Sequence, residues 1–311
     1  MLKFFTILHP LVDACSVTVL VSGGMTWERL LAYNALAFAL EFPLGIALDR
    51  WSTWWRGCFA GSLALVLVGV VLCACGLNGW APLALACIGN ALFHLTVGKH
   101  MLETHKGKSG PIGLFISTGA VGLFAGMKLA DAWTGTCCAG FGGALAVVGA
   151  MAVWRIDSDV SRAFRRIRSV RVVSDEIGVG NGCRIGWVIL FGLFALIAWR
   201  SWAGLLASGM TNAGTIAFAC AGVALTGAGK VVGGYLGDRF GWGRVTGVSV
   251  AGSLALCFLC RPEQRMVWLA LLFVAQLATG PVLSLVYERT GRRGGTAFGI
   301  NCLGLFTGSL A

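Results

Sequence analysis

Few residues carry charge or strong polarity inside the long apolar stretches of this chain. His9 and Asp13 stand four apart, as do Asn90 and His94, and that spacing puts two side chains on one face of a helix. Asn34 and Glu41 share another stretch, Lys230 lies in a fourth and Gln276 in a fifth. An ionisable group in a membrane interior costs on the order of 3 kcal/mol, so such groups mark solute pathways and proton relays. A carboxylate beside an imidazole can load and release a proton near neutral pH. Asp13, Glu41 and His94 are therefore candidates for proton coupling, with His9 beside Asp13. Asn34, Asn90, Lys230 and Gln276 are candidate polar contacts for a solute. Each has a structural alternative. Asp13 can serve as a bond to His9 or a neighbouring helix, and His94 as a hydrogen-bonded packing residue. Glu41 can pair locally, and Lys230 can snorkel toward the membrane surface.

The composition requires lipid around these residues. Of 311 residues, 57% are hydrophobic and only 12% charged, about half the charge that a soluble domain carries. A bilayer core of about 30 Å needs roughly 20 apolar residues per helix. That ruler gives eleven spans, near 3–22, 27–48, 57–77, 80–101, 110–128, 133–154, 185–206, 211–237, 243–260, 264–286 and 295–311. Runs this long exclude a β-barrel, whose strands alternate over about ten residues. The first run follows Lys3 as a signal peptide would, and Val12-Asp13-Ala14-Cys15 faintly resembles a lipoprotein box. Asp13 stands where such a box needs a small neutral residue, so the segment reads as a retained helix. The fold class is an all-α polytopic membrane protein.

Basic residues orient it. With the N-terminus in the cytoplasm, 18 of the 24 Lys and Arg residues fall on cytoplasmic segments and five outside (Arg29, Lys128, Arg200, Arg261 and Arg265), leaving Lys230 within a helix. This is the positive-inside pattern of a bacterial-type inner membrane protein. It also accounts for the net charge of +11 through contact with anionic lipid, without a nucleic-acid partner. The longest polar segment, 155–184, divides the chain into an N-terminal bundle (1–154), a linker and a C-terminal bundle (185–311).

An internal repeat supports the division. Gly45-Ile46-Ala47-Leu48-Asp49-Arg50 and Gly234-Tyr235-Leu236-Gly237-Asp238-Arg239 share the form Gly-x-x-x-Asp-Arg at corresponding helix ends, offset by 189 residues (49 to 238). Here the chain resembles the major facilitator superfamily, whose loop between helices 2 and 3 reads Gly-x-x-x-Asp-Arg-x-Gly-Arg-Arg/Lys and recurs more loosely between helices 8 and 9. The second copy follows the pattern through Gly241. The first departs after Arg50, with Ser52 for the glycine. The resemblance implies a two-bundle transporter in which Gly45, Asp49, Arg50, Gly234, Asp238 and Arg239 form a cytoplasmic latch. It also implies twelve helices, so a chain with eleven looks truncated at its C-terminus. The offset maps Glu41 onto Lys230, placing opposite charges at equivalent positions. Gly119, Gly122 and Gly126 in helix 5 and Gly229, Gly233 and Gly237 in helix 8 are small-residue steps for close helix packing, either between the two halves or within each half. Phe93-His94, together with His9 and Asp13, resembles the fosmidomycin-resistance-like branch, although Leu95 replaces its proline; that likeness implies export.

Other chemistry has little support. The twelve cysteines include a Cys257-x-x-Cys260 pair and adjacent Cys137 and Cys138, but no second pair with histidine completes a zinc site. His100 and His105 stand on a basic loop, and no phosphate-binding Walker loop is present. No metal and no cofactor is expected. The sequence thus reads as a monomeric secondary transporter, an antiporter taking a small organic molecule and protons as its partners. The alternative is a membrane-embedded enzyme acting on a lipid or prenyl substrate through Asp13, Glu41 or His94. Acid–base residues gathered at one membrane face would favour the enzyme. Residues around a mid-membrane centre would favour transport.

Overall fold

The computed structural model describes residues 1–167, 183–259, 261 and 263–310. Every regular element among them is helical. The helices are α1 (Leu2–Ser22), α2 (Trp27–Arg50), α3 (Trp55–Ala74), α4 (Trp80–Thr104), α5 (110–132), α6 (134–167), α7 (Cys183–Asn212), α8 (Ile216–Phe240), α9 (Trp242–Leu259), α10 (Arg265–Arg289) and α11 (Gly294–Ser309). They correspond in order to the eleven apolar runs. Trp133 leaves helical backbone (φ −141°, ψ 53°) and separates α5 from α6. The polar segment expected from 155 begins inside a helix, because α6 continues to 167. Charged residues end a membrane span without ending the helix that makes it. Half of the expected linker (168–182), and Cys260 of the Cys257 pair, lie outside the described residues.

Three helices are interrupted near mid-length. A π-turn at Ala35–Ala39 closes with the Leu40 amide bonded to the Ala35 carbonyl, one residue farther back than in an α-helix. α5 breaks at Thr118, between Gly110–Ser117 and the helix resuming at Gly119. α10 breaks at 277–278, between Arg265–Gln276 and Thr279–Arg289. Irregular backbone at membrane depth survives only where protein, not lipid, surrounds it.

Small residues set which helices touch. The backbone of α1 meets α5 at Gly122 (against Pro10) and Gly126 (against Ala14). Both pairs advance together, so the helices run parallel. In the second half, Gly304 and Gly308 of α11 meet Phe194, Ile197 and Ala198 of α7 in the same parallel sense. Gly229, Gly233 and Gly237 of α8 pack on Phe273, Leu277 and Pro281 of α10. These steps hold each half together. The contact between halves runs through other glycines, with Gly45 of α2 against Gly295 of α11 and Gly234 of α8 against Gly110 of α5. Gly299 lies on the Glu41 carbonyl and Gly113 on the Lys230 carbonyl. Positions 41, 45 and 49 thus mirror 230, 234 and 238 along two seams, α2–α11 and α5–α8.

A Cβ at Gly122 would overlap the Pro10 carbonyl, and overpacking of this kind costs about 1–3 kcal/mol. Gly122→Ala should lower the thermal unfolding midpoint of the purified protein. Gly140→Ala, in α6 with open space around it, should leave the midpoint unchanged or raise it slightly. Equal midpoints for the two variants would contradict the tight α1–α5 contact.

Candidate functional site

Asp13, Glu41, Arg200 and Lys230 each lie well inside their helices, about 14–18 Å from the nearer end at 1.5 Å per residue. The first half supplies an acid–imidazole cluster. Asp13 is 4% exposed. Its Oδ2 lies 3.3 Å from His9 Nε2, and its Oδ1 lies 3.4 Å from His94 Nε2. Asn90 Nδ2 donates to Oδ1 at 2.9 Å. Gly119 faces this cluster: a Cβ there would meet Asp13 Oδ2 and His9 Nε2 at 2.5 Å. Its missing side chain makes room for the cluster instead of serving only helix packing.

The outer partners of the two imidazoles decide their protonation. His9 Nδ1 lies 2.7 Å from the Phe115 carbonyl, which can only accept, so Nδ1 carries a hydrogen. His94 Nδ1 lies 2.9 Å from Asn90 Oδ1 and 3.1 Å from the Asn90 carbonyl. The Asn90 amide nitrogen already faces Asp13, so His94 Nδ1 also donates. In neutral rings both Nε2 lone pairs would then point at a carboxylate. Three acceptors converging in a buried space require a cation between them. The three ligating atoms lie within 4.8 Å of one another, close enough for a proton or a metal ion.

The α5 break feeds the same region. Without a continuous helix through Thr118, the Phe115 carbonyl accepts from His9 and from Thr118 Oγ1. The Ile116 carbonyl accepts from Lys230 Nζ at 3.4 Å. Lys230 is partly exposed and lies within electrostatic reach of Asp13, His94 and Arg200. Glu41 is fully buried, with no hydrogen-bond partner for either carboxylate oxygen by distance and angle among the described residues. The Cys302 thiol lies beside it. Asn34 is half-buried, two turns before Glu41, and has no side-chain hydrogen bond to the Asp13 cluster among the described residues.

Arg200 corrects an expectation. Counted with the outer charges, it is expected toward the outer end of the 185–206 span, but α7 continues to Asn212 and Arg200 is buried, 6% exposed. Its Nη1 donates to Gln276 Oε1 at 2.9 Å and to Thr279 Oγ1 at 3.0 Å, across the α10 break. Gln276 therefore serves the arginine and not the Asp13 cluster. Tyr33 is a second residue without a motif to flag it. It is buried, its hydroxyl has no partner among the described residues, and Asp13 lies within electrostatic reach.

On the face that carries the basic loops, two carboxylates close the seams. Asp49 accepts from the Gly295 and Thr296 amides at 2.9 and 2.7 Å and from Thr296 Oγ1 at 2.8 Å. Asp238 accepts from the Ser109 and Gly110 amides, the latter at 2.9 Å, and from Ser109 Oγ at 2.9 Å. Each acid thus binds the first amides of a helix from the opposite half, where the helix dipole favours an anion. The motif arginines are not the partners. Lys99, buried, bonds Asp49 at 2.6 Å. Arg50 is exposed on a cavity of about 700 Å³ that it shares with Arg292 and Arg293. Arg239 stacks on Phe240.

No family model and no curated protein matches the chain by sequence. Solved structures match it in fold. A single-substitution variant of the Escherichia coli fucose:proton symporter FucP superposes with a TM-score of 0.61 at 10% identity, over 99% of this chain and 88% of that one. A structure of FucP described as a major facilitator superfamily transporter in the outward conformation gives 0.56 at 12%, over 98% and 89%. A bacterial homologue of the iron transporter ferroportin, outward-facing, gives 0.52 at 14%, over 99% and 89%. The chain has the major-facilitator fold. That fold explains why Asp49 and Asp238 occupy equivalent places, since each ends the second helix of a bundle.

Asn90 joins two members of the buried cluster. Asn90→Ala removes one hydrogen bond each from Asp13 Oδ1 and His94 Nδ1, which keep only the longer contacts to His94 Nε2 and the residue-90 carbonyl, at about 1 kcal/mol or more per bond lost. The unfolding midpoint should fall by several degrees, and an unchanged midpoint would detach Asn90 from the cluster.

Proposed function

We propose that this protein is a secondary active transporter that moves a small organic solute across the inner membrane by alternating access, coupled to protons at the His9–Asp13–His94 cluster. In this reading the basic face is cytoplasmic, the N-terminus lies inside, and the Asp49 and Asp238 locks hold the cytoplasmic side shut. The observation that carries the proposal is the matched pair of locks. An enzyme needs no symmetric closure between two halves, whereas a transporter that opens to each side in turn does. The position of the acid–imidazole cluster supports the same reading, because Asp13 lies nine residues, roughly 14 Å, from the nearer end of α1 and not at a helix end. The sequence likeness to the fosmidomycin-resistance-like branch supports export in exchange for protons.

Asp49→Asn with Asp238→Asn removes both charges while keeping the side-chain shapes. A charged acceptor at helix amides contributes about 1–2 kcal/mol beyond a neutral one. Each lock is therefore expected to shift the closed-to-open ratio about tenfold. Spin labels on the basic-face ends of α2 and α11 should report a longer distance population in the double variant. Identical distributions would remove the locks from the gating scheme.

Proton coupling has its own test. In proteoliposomes carrying a panel of labelled organic solutes, an imposed pH gradient should drive net flux of the transported compound through the wild type. Asp13→Asn should abolish the response to the gradient while leaving solute exchange. Flux indifferent to the gradient in the wild type would end the coupling proposal.

A further inference from the structure

Two buried or half-buried cations in the second half, Arg200 and Lys230, make no ion pair among the described residues. Among the described residues, the ion pairs of the membrane interior belong to Asp13 with His9 and His94; none involves Arg200 or Lys230. The oxygens that hold Arg200 Nη1 come from an amide and a hydroxyl. They orient the guanidinium without cancelling its charge. Thr279 Oγ1 also donates to Gln276 Oε1 at 3.0 Å, which stiffens the support. Arg200 Nε is buried and has no partner among the described residues. Nε belongs to the edge with which an arginine grips a carboxylate or phosphate through two parallel bonds, so the protein holds Nη1 and leaves a donor of this edge unsatisfied.

Lys230 adds a second charge nearby. Gln276 bonds Arg200 through its amide oxygen, and its Cβ lies 3.0 Å from where a Cβ on Gly229, the residue before Lys230, would stand. Lys230 Nζ has one long contact, with the Ile116 carbonyl, and uses one of three donor hydrogens there. A buried guanidinium left without an anion is costly. Glu41 makes no ion pair with it, although Cys302 lies within electrostatic reach of both.

We propose that the transported solute is a small organic anion whose carboxylate or phosphate group binds Arg200 through its Nε–Nη2 edge, with Lys230 as second cation. This rests on the transporter reading above and specifies its substrate class. The anion completes a charge set that the protein leaves open: Lys230 lies within electrostatic reach of both Arg200 and the acid–imidazole cluster of the N-terminal half.

The test is equilibrium binding at one fixed pH, so that it does not depend on proton coupling. The full-length protein in nanodiscs is melted with millimolar lactate, succinate, glycerol 3-phosphate, inorganic phosphate or chloride, beside lactamide and glycerol as neutral counterparts. An organic anion should raise the midpoint by about 3–5 °C, and its neutral counterpart should not. Carboxylate and phosphate compounds separate the two headgroups. Arg200→Gln should lose the shift, Arg200→Lys should recover only part of it, and Lys230→Gln should weaken apparent affinity at least tenfold. If Arg200→Gln does not fold, the Lys230→Gln result decides. Asp13→Asn should retain the anion shift, so a failure of proton coupling leaves this inference standing. Equal shifts from lactate and lactamide, a response to chloride as large as to any organic anion, or no shift with any anion overturns it.

Discussion

Lipid offers no hydrogen bonds, so every polar group at mid-membrane depth must find its partner within the protein. The arrangement of this molecule follows from that constraint. The break in α5 at Thr118 releases carbonyls, and these are taken by His9 and Lys230. The break in α10 presents Gln276 and Thr279 to Arg200. Interrupted helices that would be liabilities against lipid instead fix the orientation of charged side chains. The same bonds set the chemistry, since an imidazole whose Nδ1 donates to a carbonyl must present its Nε2 inward.

The seams between halves obey a related rule. Two bundles that move against each other need a contact that is close yet cheap to break. Glycine backbones meeting at Gly45–Gly295 and Gly234–Gly110 supply closeness, and small residues permit it without interlocking side chains. The carboxylate locks lie at the ends of these seams, where water can rehydrate them when they part. A lock built from an acid and the amides of a helix N-terminus separates without stranding a second charge, as an acid–arginine lock would.

The helix order, the two halves and the mid-membrane acids were readable because each leaves a local mark: run length, repeat, or a charge in an apolar context. Asp13, His9, Asn90 and His94 fell together because two i, i+4 pairs must lie on helix faces, and faces that share polarity tend to meet. Arg200 escaped because a helix read as ending at 206 leaves it within two turns of the outer end. A shift of six residues, from 206 to Asn212, moves it from surface to core. The lock partners were equally invisible. Backbone amides of Gly295, Thr296, Ser109 and Gly110 carry no side-chain signature, whereas the neighbouring arginines do, and so the arginines drew the assignment. The glycines were legible as packing steps but not as to partner, because spacing states which face is smooth and not what rests on it.

α5 connects these parts physically. Its first amides are bound by Asp238, Gly113 lies on the Lys230 backbone, the Phe115 carbonyl holds His9, and Gly119 makes space for Asp13. Within about ten residues one helix touches a lock, the lysine and the acid–imidazole cluster. If protons and gating are coupled as proposed, the coupling needs no long relay. A change in the charge of His9 alters its hold on the Phe115 carbonyl, and the turn that carries this carbonyl is continuous with the helix end held by Asp238. A rigid element with two bonded ends transmits displacement directly, provided that its alternative position is also a packed one. The break at Thr118 confines that displacement to the Gly110–Ser117 segment. The rest of α5 can then stay fixed on α1 through Gly122 and Gly126 while the lock end moves.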